Sequence, residues 1–191
     1  MKKSAPIFAT ASVLLIAGVL VAAQKQSGGA HEHHAMDAAR ISHAAVVLTS
    51  MQGSKVQGTM EFSASDSGVM LTGQVTGLTP GKHGFHIHEF GDLRDPAGKS
   101  AGGHYNPQGH EHGGPHSDNR HVGDLGNIVA GDDGVATIKI NIPGLNLHHV
   151  IGRSIVVHAK EDDLKSQPSG DAGDRVAVGV IGIAAAPKMD K

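Results

Sequence analysis

VQGTMEFSASDSGVMLTGQVTGL, residues 56–78, sets apolar and polar side chains in alternation on either side of Ser65-Asp66-Ser67-Gly68. Alternation with a period of two is the mark of a half-buried strand, and a Ser/Asp/Gly cluster between two such runs is a hairpin turn. The rhythm continues outward in both directions, through 45–51 before the hairpin and 83–89, 126–130, 135–142, 154–159 and 175–184 after it. Further turn signals stand at Gln52-Gly53, Thr79-Pro80-Gly81 and Asp132-Asp133-Gly134. No ten-residue stretch has the period of an amphipathic helix. About eight strands at this spacing predict an all-β domain, an antiparallel sandwich or barrel. Two stretches break the rhythm, 91–123 and 161–174, and both are long, polar and Gly-rich. Long loops in a compact β domain tend to bind something.

Composition narrows what that something is. The 191 residues include 39% apolar but only 3% aromatic side chains, so the core has to be built from Val, Ile, Leu and Ala, and no aromatic platform for stacking bases exists. A net charge of -2 supplies no basic field for nucleic acid or anionic lipid. The absence of Cys excludes disulfides, thiolate catalysis and Cys-type zinc sites, while fifteen His demand a reason.

The chain divides into four parts. Residues 1–23 carry Lys2 and Lys3, an apolar run and a small-residue exit at Ala22-Ala23, the pattern of a secretory signal peptide; an uncleaved anchor is the alternative. Cleavage after Ala23 leaves 168 residues with a charge of -4, an exported protein, periplasmic or extracellular, with no membrane attachment. Residues 24–41 form a polar linker in which His31, His33 and His34 are either a loose metal-capturing cluster or a solvated tail. The β domain is 42–187, and 188–191 are a C-terminal tail.

On the strand 83–89, Phe85 and Ile87 share one face and His86 and His88 the other. A lone His-x-His is weak evidence for a metal. The following loop strengthens it with His104, His110, His112, His116 and His121, then Asp124, and His158 closes the strand 154–159. Three His and an Asp suit a sulfur-free tetrahedral zinc site, and further imidazoles suit a nitrogen-preferring metal such as copper.

Six segments, in one order, resemble the copper/zinc superoxide dismutase family: GFHIHEFGD (84–92), SAGGHYNP (100–107), HGGP (112–115), RHVGDLGNI (120–128), VIGRSIVVH (150–158), and GDAGDR (170–175) with GVIGI (179–183). The resemblance implies an eight-stranded Greek-key barrel with two long functional loops. It further implies copper on His86, His88, His104 and His158, and zinc on His104, His112, His121 and Asp124, His104 bridging the two. Asp162 resembles the family's outer carboxylate that fixes a histidine of each site. A simple loop acid is the alternative. Arg175 resembles the guanidinium that orients a small anion beside copper. The implied reaction is superoxide dismutation: one superoxide reduces copper and leaves as dioxygen, with His104 released and protonated, and a second reoxidises copper and leaves as hydrogen peroxide. The alternative on the same barrel is an exported copper- and zinc-buffering protein with little activity.

One departure from the family is the absence of its disulfide, and the loop 161–174 is also short compared with animal relatives. A disulfide normally ties the long metal loop to the last strand, at positions that here are near Gly98 and at Val178. Metal binding is the expected substitute. His110 and His116 are expected to be spare surface residues or an accessory site, and His43, His83, His148 and His149 exposed or strand-end residues. Gly91, Ile151, Gly152 and Ile183 fall where family members make an apolar dimer contact, which predicts a homodimer.

Overall fold

The computed structural model describes residues 41–187. The expected leader, most of the linker with His31, His33 and His34, and the tail 188–191 lie outside them. Among the described residues the chain forms β1 (His43–Ser50), β2 (Gln57–Ser65), β3 (Gly68–Thr76), β4 (Gly81–His88), β5 (Asp124–Ala130), β6 (Ala136–Pro143), β7 (Ser154–His158), β8 (Arg175–Val180) and β9 (Gly182–Ile183). Every expected strand is present. The last expected run is divided at Ile181, which exchanges backbone hydrogen bonds with Gly152 and Arg153 while β9 turns to pair with β1.

All pairings are antiparallel, in the order β5-β4-β7-β8-β1-β2-β3-β6. The two ends of this order, β5 and β6, are joined by the turn at Asp132-Asp133-Gly134 and lie against one another without a hydrogen-bonded ladder, so the sheet curls into a nearly closed barrel. The connections from β3 to β4 and from β6 to β7 each pass over two strands. These are the Greek-key crossings.

The interior follows from strand alternation. On β1, Ala44, Val46 and Leu48 point inward while Val47 between them is 69% exposed. Met60 and Phe62, Val69, Leu71 and Val75, Phe85 and Ile87, Ile138 and Ile142, and Ile155 and Val157 fill the barrel from the neighbouring strands. Burying each such side chain contributes about 1.5–3 kcal/mol. A second, smaller apolar cluster of Met51, Ala101, Val156 and Val178 lies apart from this core, on the other face of β7 and β8.

His86 and His88 project from the outer face of β4, as alternation requires, yet both are fully buried. The connection 89–123 between β4 and β5 and the connection 159–174 between β7 and β8 fold back over that face. His83 is buried as well, but on the inward face of β4 with Phe85 and Ile87. It is 3% exposed rather than a surface residue, with Nδ1 2.8 Å from the His158 carbonyl and Nε2 2.9 Å from that of Thr79. His43 is half-buried, and His148 and His149 are exposed.

Candidate metal centre

Three register features bring the histidines together. A bulge between Gly84 and His86 extends β5 backward and sets His86 opposite Asp124. An isolated bridge sets His88 opposite His104. A second bulge, between Val157 and His158, sets His158 opposite Arg175. Bulges re-aim side chains at the rims of barrels, and here two of them aim at one place.

The result is two groups of four buried donors, His86, His88, His104 and His158 in one and His104, His112, His121 and Asp124 in the other; within each group the donor atoms lie within 4.8 Å of one another. His104 belongs to both.

In the first group the outer ring nitrogens are engaged. His86 Nε2 donates to Asp162 Oδ2 at 2.7 Å, His88 Nδ1 to the Gly102 carbonyl at 2.9 Å and His158 Nδ1 to the Gly173 carbonyl at 3.1 Å. Each acceptor fixes the tautomer, leaving the lone pairs of His86 Nδ1, His88 Nε2 and His158 Nε2 to face inward. His88 Nε2 and His158 Nε2 approach to 3.4 Å. His86 Nδ1 and His104 Nε2 are buried with no hydrogen-bond partner among the described residues. Unpaired buried nitrogens are costly, and a cation at their meeting point is the partner that satisfies them. Burial keeps these rings neutral: it lowers His86 to about 4 and His158 to about 3, and holds His88 well below the usual imidazole range. Neutral imidazole is the form that binds a metal.

The second group is tighter. Asp124 Oδ1 lies 2.8 Å from His104 Nδ1, 3.0 Å from His112 Nδ1 and 3.2 Å from His121 Nδ1, and the last is 3.4 Å from His104 Nδ1. Donors roughly 2.0 Å from a tetrahedral ion stand about 3.3 Å apart, so these edges fit such an ion. His112 Nδ1 is buried without an aligned hydrogen bond, a further atom directed at the same point. Asp124 Oδ2 is held by the amides of Gly113 and His121 at 3.1 and 3.0 Å. Desolvation opposes ionisation of Asp124, but the hydrogen bond from His104, the close approach of His112 and the amide of Gly113 outweigh it and hold the carboxyl well below its usual range.

Asp162 joins the two groups. Its Oδ2 faces His86 and its Oδ1 lies 3.0 Å from His112 Nε2. A solvated loop acid would not be fully buried between two imidazoles, as this one is. Burial opposes its charge, yet the hydrogen bonds from His112 and His86 keep it ionised well below the usual range. With both carboxylates beside it, His112 is raised to about 9 in spite of its desolvation.

Arg175, half-buried beside these groups, donates from Nη1 to the Gly98 carbonyl at 2.5 Å and from Nη2 to the Gly102 carbonyl at 2.6 Å. These bonds occupy two of its five N–H groups. His110 and His116 join neither group; His110 Nδ1 is 3.2 Å from the Arg120 carbonyl and His116 is exposed.

Several supporting residues carried no assigned role in the sequence. Asn127 clamps Asp162, donating to its carbonyl and accepting from its amide at 2.8 Å each. Gln167 clamps His112 in the same two-sided way, at 2.8 and 2.9 Å. Asn127 stood inside the quoted segment 120–128, which was the available signal. Gln167 offered none.

Both donor groups, Asp162 and Arg175 fall within residues 56–181, the stretch that matches the family model for copper/zinc superoxide dismutase. Seven buried donors in two groups with one ring in common, on a Greek-key barrel, are what that family's use of copper and zinc requires, and the chain belongs to the copper/zinc superoxide dismutase family of oxidoreductases.

Proposed function

We propose that this chain is an exported superoxide dismutase, with copper held by His86, His88, His104 and His158 and zinc by His104, His112, His121 and Asp124. The observation that carries this reading is the common ring of His104 between two donor groups, with Arg175 set opposite His158. The reaction joins two superoxide anions and two protons to give dioxygen and hydrogen peroxide. When bound, copper supplies a one-electron couple and zinc, having no redox chemistry, a fixed positive charge.

The chain's own residues do the rest. Arg175 presents its remaining N–H donors to a small anion, from a half-buried position where water competes less for the charge. The mature chain is expected to be acidic, so this local charge is what draws an anion inward. His104 Nε2 is the atom suited to take up and return a proton, because Nδ1 lies in the second donor group beside Asp124, and the zinc expected there would hold the ring, while Nε2 has no other partner among the described residues. The loops covering His86 and His88 exclude bulk water from the ligand face.

Metal analysis paired with an assay of superoxide decay tests the proposal. Metal-loaded wild type dismutates superoxide, and His158→Ala loses copper and turnover together while retaining zinc. A metal buffer instead binds more than two ions tightly per chain, shows little turnover in the wild type, and loses only part of its capacity in the variant.

A further inference from the structure

The turn around residues 98–102 supplies both carbonyls that hold Arg175, and one of them, Gly102 O, also accepts from His88 Nδ1. A single peptide therefore fixes the guanidinium and a member of the first donor group. Inside the turn, Gly98 sits at φ 73 and the residues that follow form a short 3-10 segment, Lys99–Ala101.

The second apolar cluster fastens this turn. Met51 is 5% exposed and groups with Ala101 from the turn and with Val156 and Val178 from β7 and β8. A methyl group built on Gly98 would stand 3.0 Å from Val178 Cγ2, 3.1 Å from Met51 Sδ and 3.3 Å from Arg175 Cδ. The turn thus rests flush on Met51, on Val178 and on the stem of the arginine that it holds. Backbone bonds locate Met51 from both sides: its amide donates to Val176 O at 3.0 Å, and the next amide, of Gln52, donates to Pro96 O at 2.8 Å.

We infer that Met51 is a positioning residue for Arg175, acting through the apolar clamp that presses the 98–102 turn onto β8. The unbranched, adaptable side chain of Met fills the irregular gap between a turn and a strand. The clamp lies at the positions near Gly98 and at Val178 where metal binding was the expected substitute for a disulfide. This inference rests on the proposed function for its catalytic consequence but not for its geometry.

The test uses the full chain loaded with both metals and compares wild type, Met51→Ala and Met51→Leu. Azide serves as the anion probe, titrated through its absorption at copper, and hydrogen exchange of the 98–102 amides is followed with and without metals. In Met51→Ala, azide affinity and superoxide turnover fall about three- to tenfold, since small misplacements of a binding group are expensive, and the 98–102 amides exchange faster. Metal content is unchanged, and Met51→Leu, which restores apolar volume, recovers both readouts to within about twofold of wild type. A Met51→Ala protein with a lowered melting temperature but unaltered azide affinity overturns the inference, as does a Met51→Leu protein no better than Met51→Ala. Should Met51→Ala not fold, Gly98→Ala wedges a methyl group between the same turn and Met51, Val178 and the Arg175 stem; the same loss of azide affinity is expected, and its absence overturns the inference. If the wild type fails to dismutate superoxide, the proposed function falls, while exchange at 98–102 still reads the clamp.

Discussion

His86 and His158 are kept neutral by burial, whereas His112 is kept protonated by the two carboxylates that flank it, so the metal-free protein has opposed responses to acid and base. An unfolded histidine takes up its proton near pH 6.5, but folded His86 does so only at about 4 and His158 at about 3. Between those values the unfolded chain binds more protons, so stability falls on acidification, by at most about 1.4 kcal/mol per pH unit for each group. His112 has the other sign: folded, it keeps its proton to about 9, so its contribution is complete below pH 6.5 and is lost as the pH rises through 9. The denaturation midpoint of the metal-free protein is therefore expected to peak near neutrality. Metal loading flattens the alkaline limb, because an ion at His112 Nδ1 replaces the proton. Urea titrations from pH 4.5 to 9, with and without metals, check this; a midpoint rising steadily with pH contradicts it. None of these opposed shifts was legible in the sequence. The ligand residues stood in recognisable motifs, but the carbonyls of Gly102 and Gly173 that orient them belong to the backbone and leave no mark on residue identity. His83, expected to be an exposed or strand-end residue, is buried because it shares the inward face of β4 with Phe85 and Ile87, a position that alternation does mark; only the acceptors at Thr79 and His158 that satisfy its ring leave no trace in the sequence.

Strands were the most legible level. Alternation and turn residues located all of them, because each strand has one face on the core and one away from it. What alternation does not encode is the bulge. The start of β5 at Asp124 and the register of His158 with Arg175 both follow from irregularities in pairing, so the sequence pattern began this strand at 126, two residues past Asp124. The connections were legible as functional but not as structures. In the connection between β7 and β8, Gly170 has φ 67, and a side chain there would overlap the Asp162 carboxylate and come within 2.7 Å of His112 Nε2. Gly170→Ala is thus expected to break the carboxylate bridge between the two donor groups while leaving the barrel strands in place. Outer partners of metal-ligating histidines are worth about 10–100-fold in metal affinity, so the variant should surrender zinc to a competing chelator over that range. Unchanged zinc retention would show that Asp162 is dispensable to the site.

At the scale of the molecule, one apolar surface calls for an explanation. Phe90 is 56% exposed, Ile183 57% and Val180 37%. Gly91, next to Phe90, packs so closely on Gly152 and Val180 that no side chain fits between them. Exposed apolar surface of this kind marks an association site, and a two-fold contact between copies is the common solution. We propose a homodimer through this face. Sedimentation of the wild type at twice the mass of one chain, and of Ile183→Glu as a monomer, is the expected result; a monomeric wild type at micromolar concentration removes the proposal.

The small cluster around Met51 has a consequence for how the protein matures. Contacts between a thioether and aliphatic side chains await no oxidase and yield to no glutathione, so the 98–102 turn is fastened as soon as the polypeptide has folded, whichever side of a membrane it folds on. Its vulnerability is of another kind. Apolar association weakens in the cold, and a fastening that reductants leave alone is one that chilling loosens.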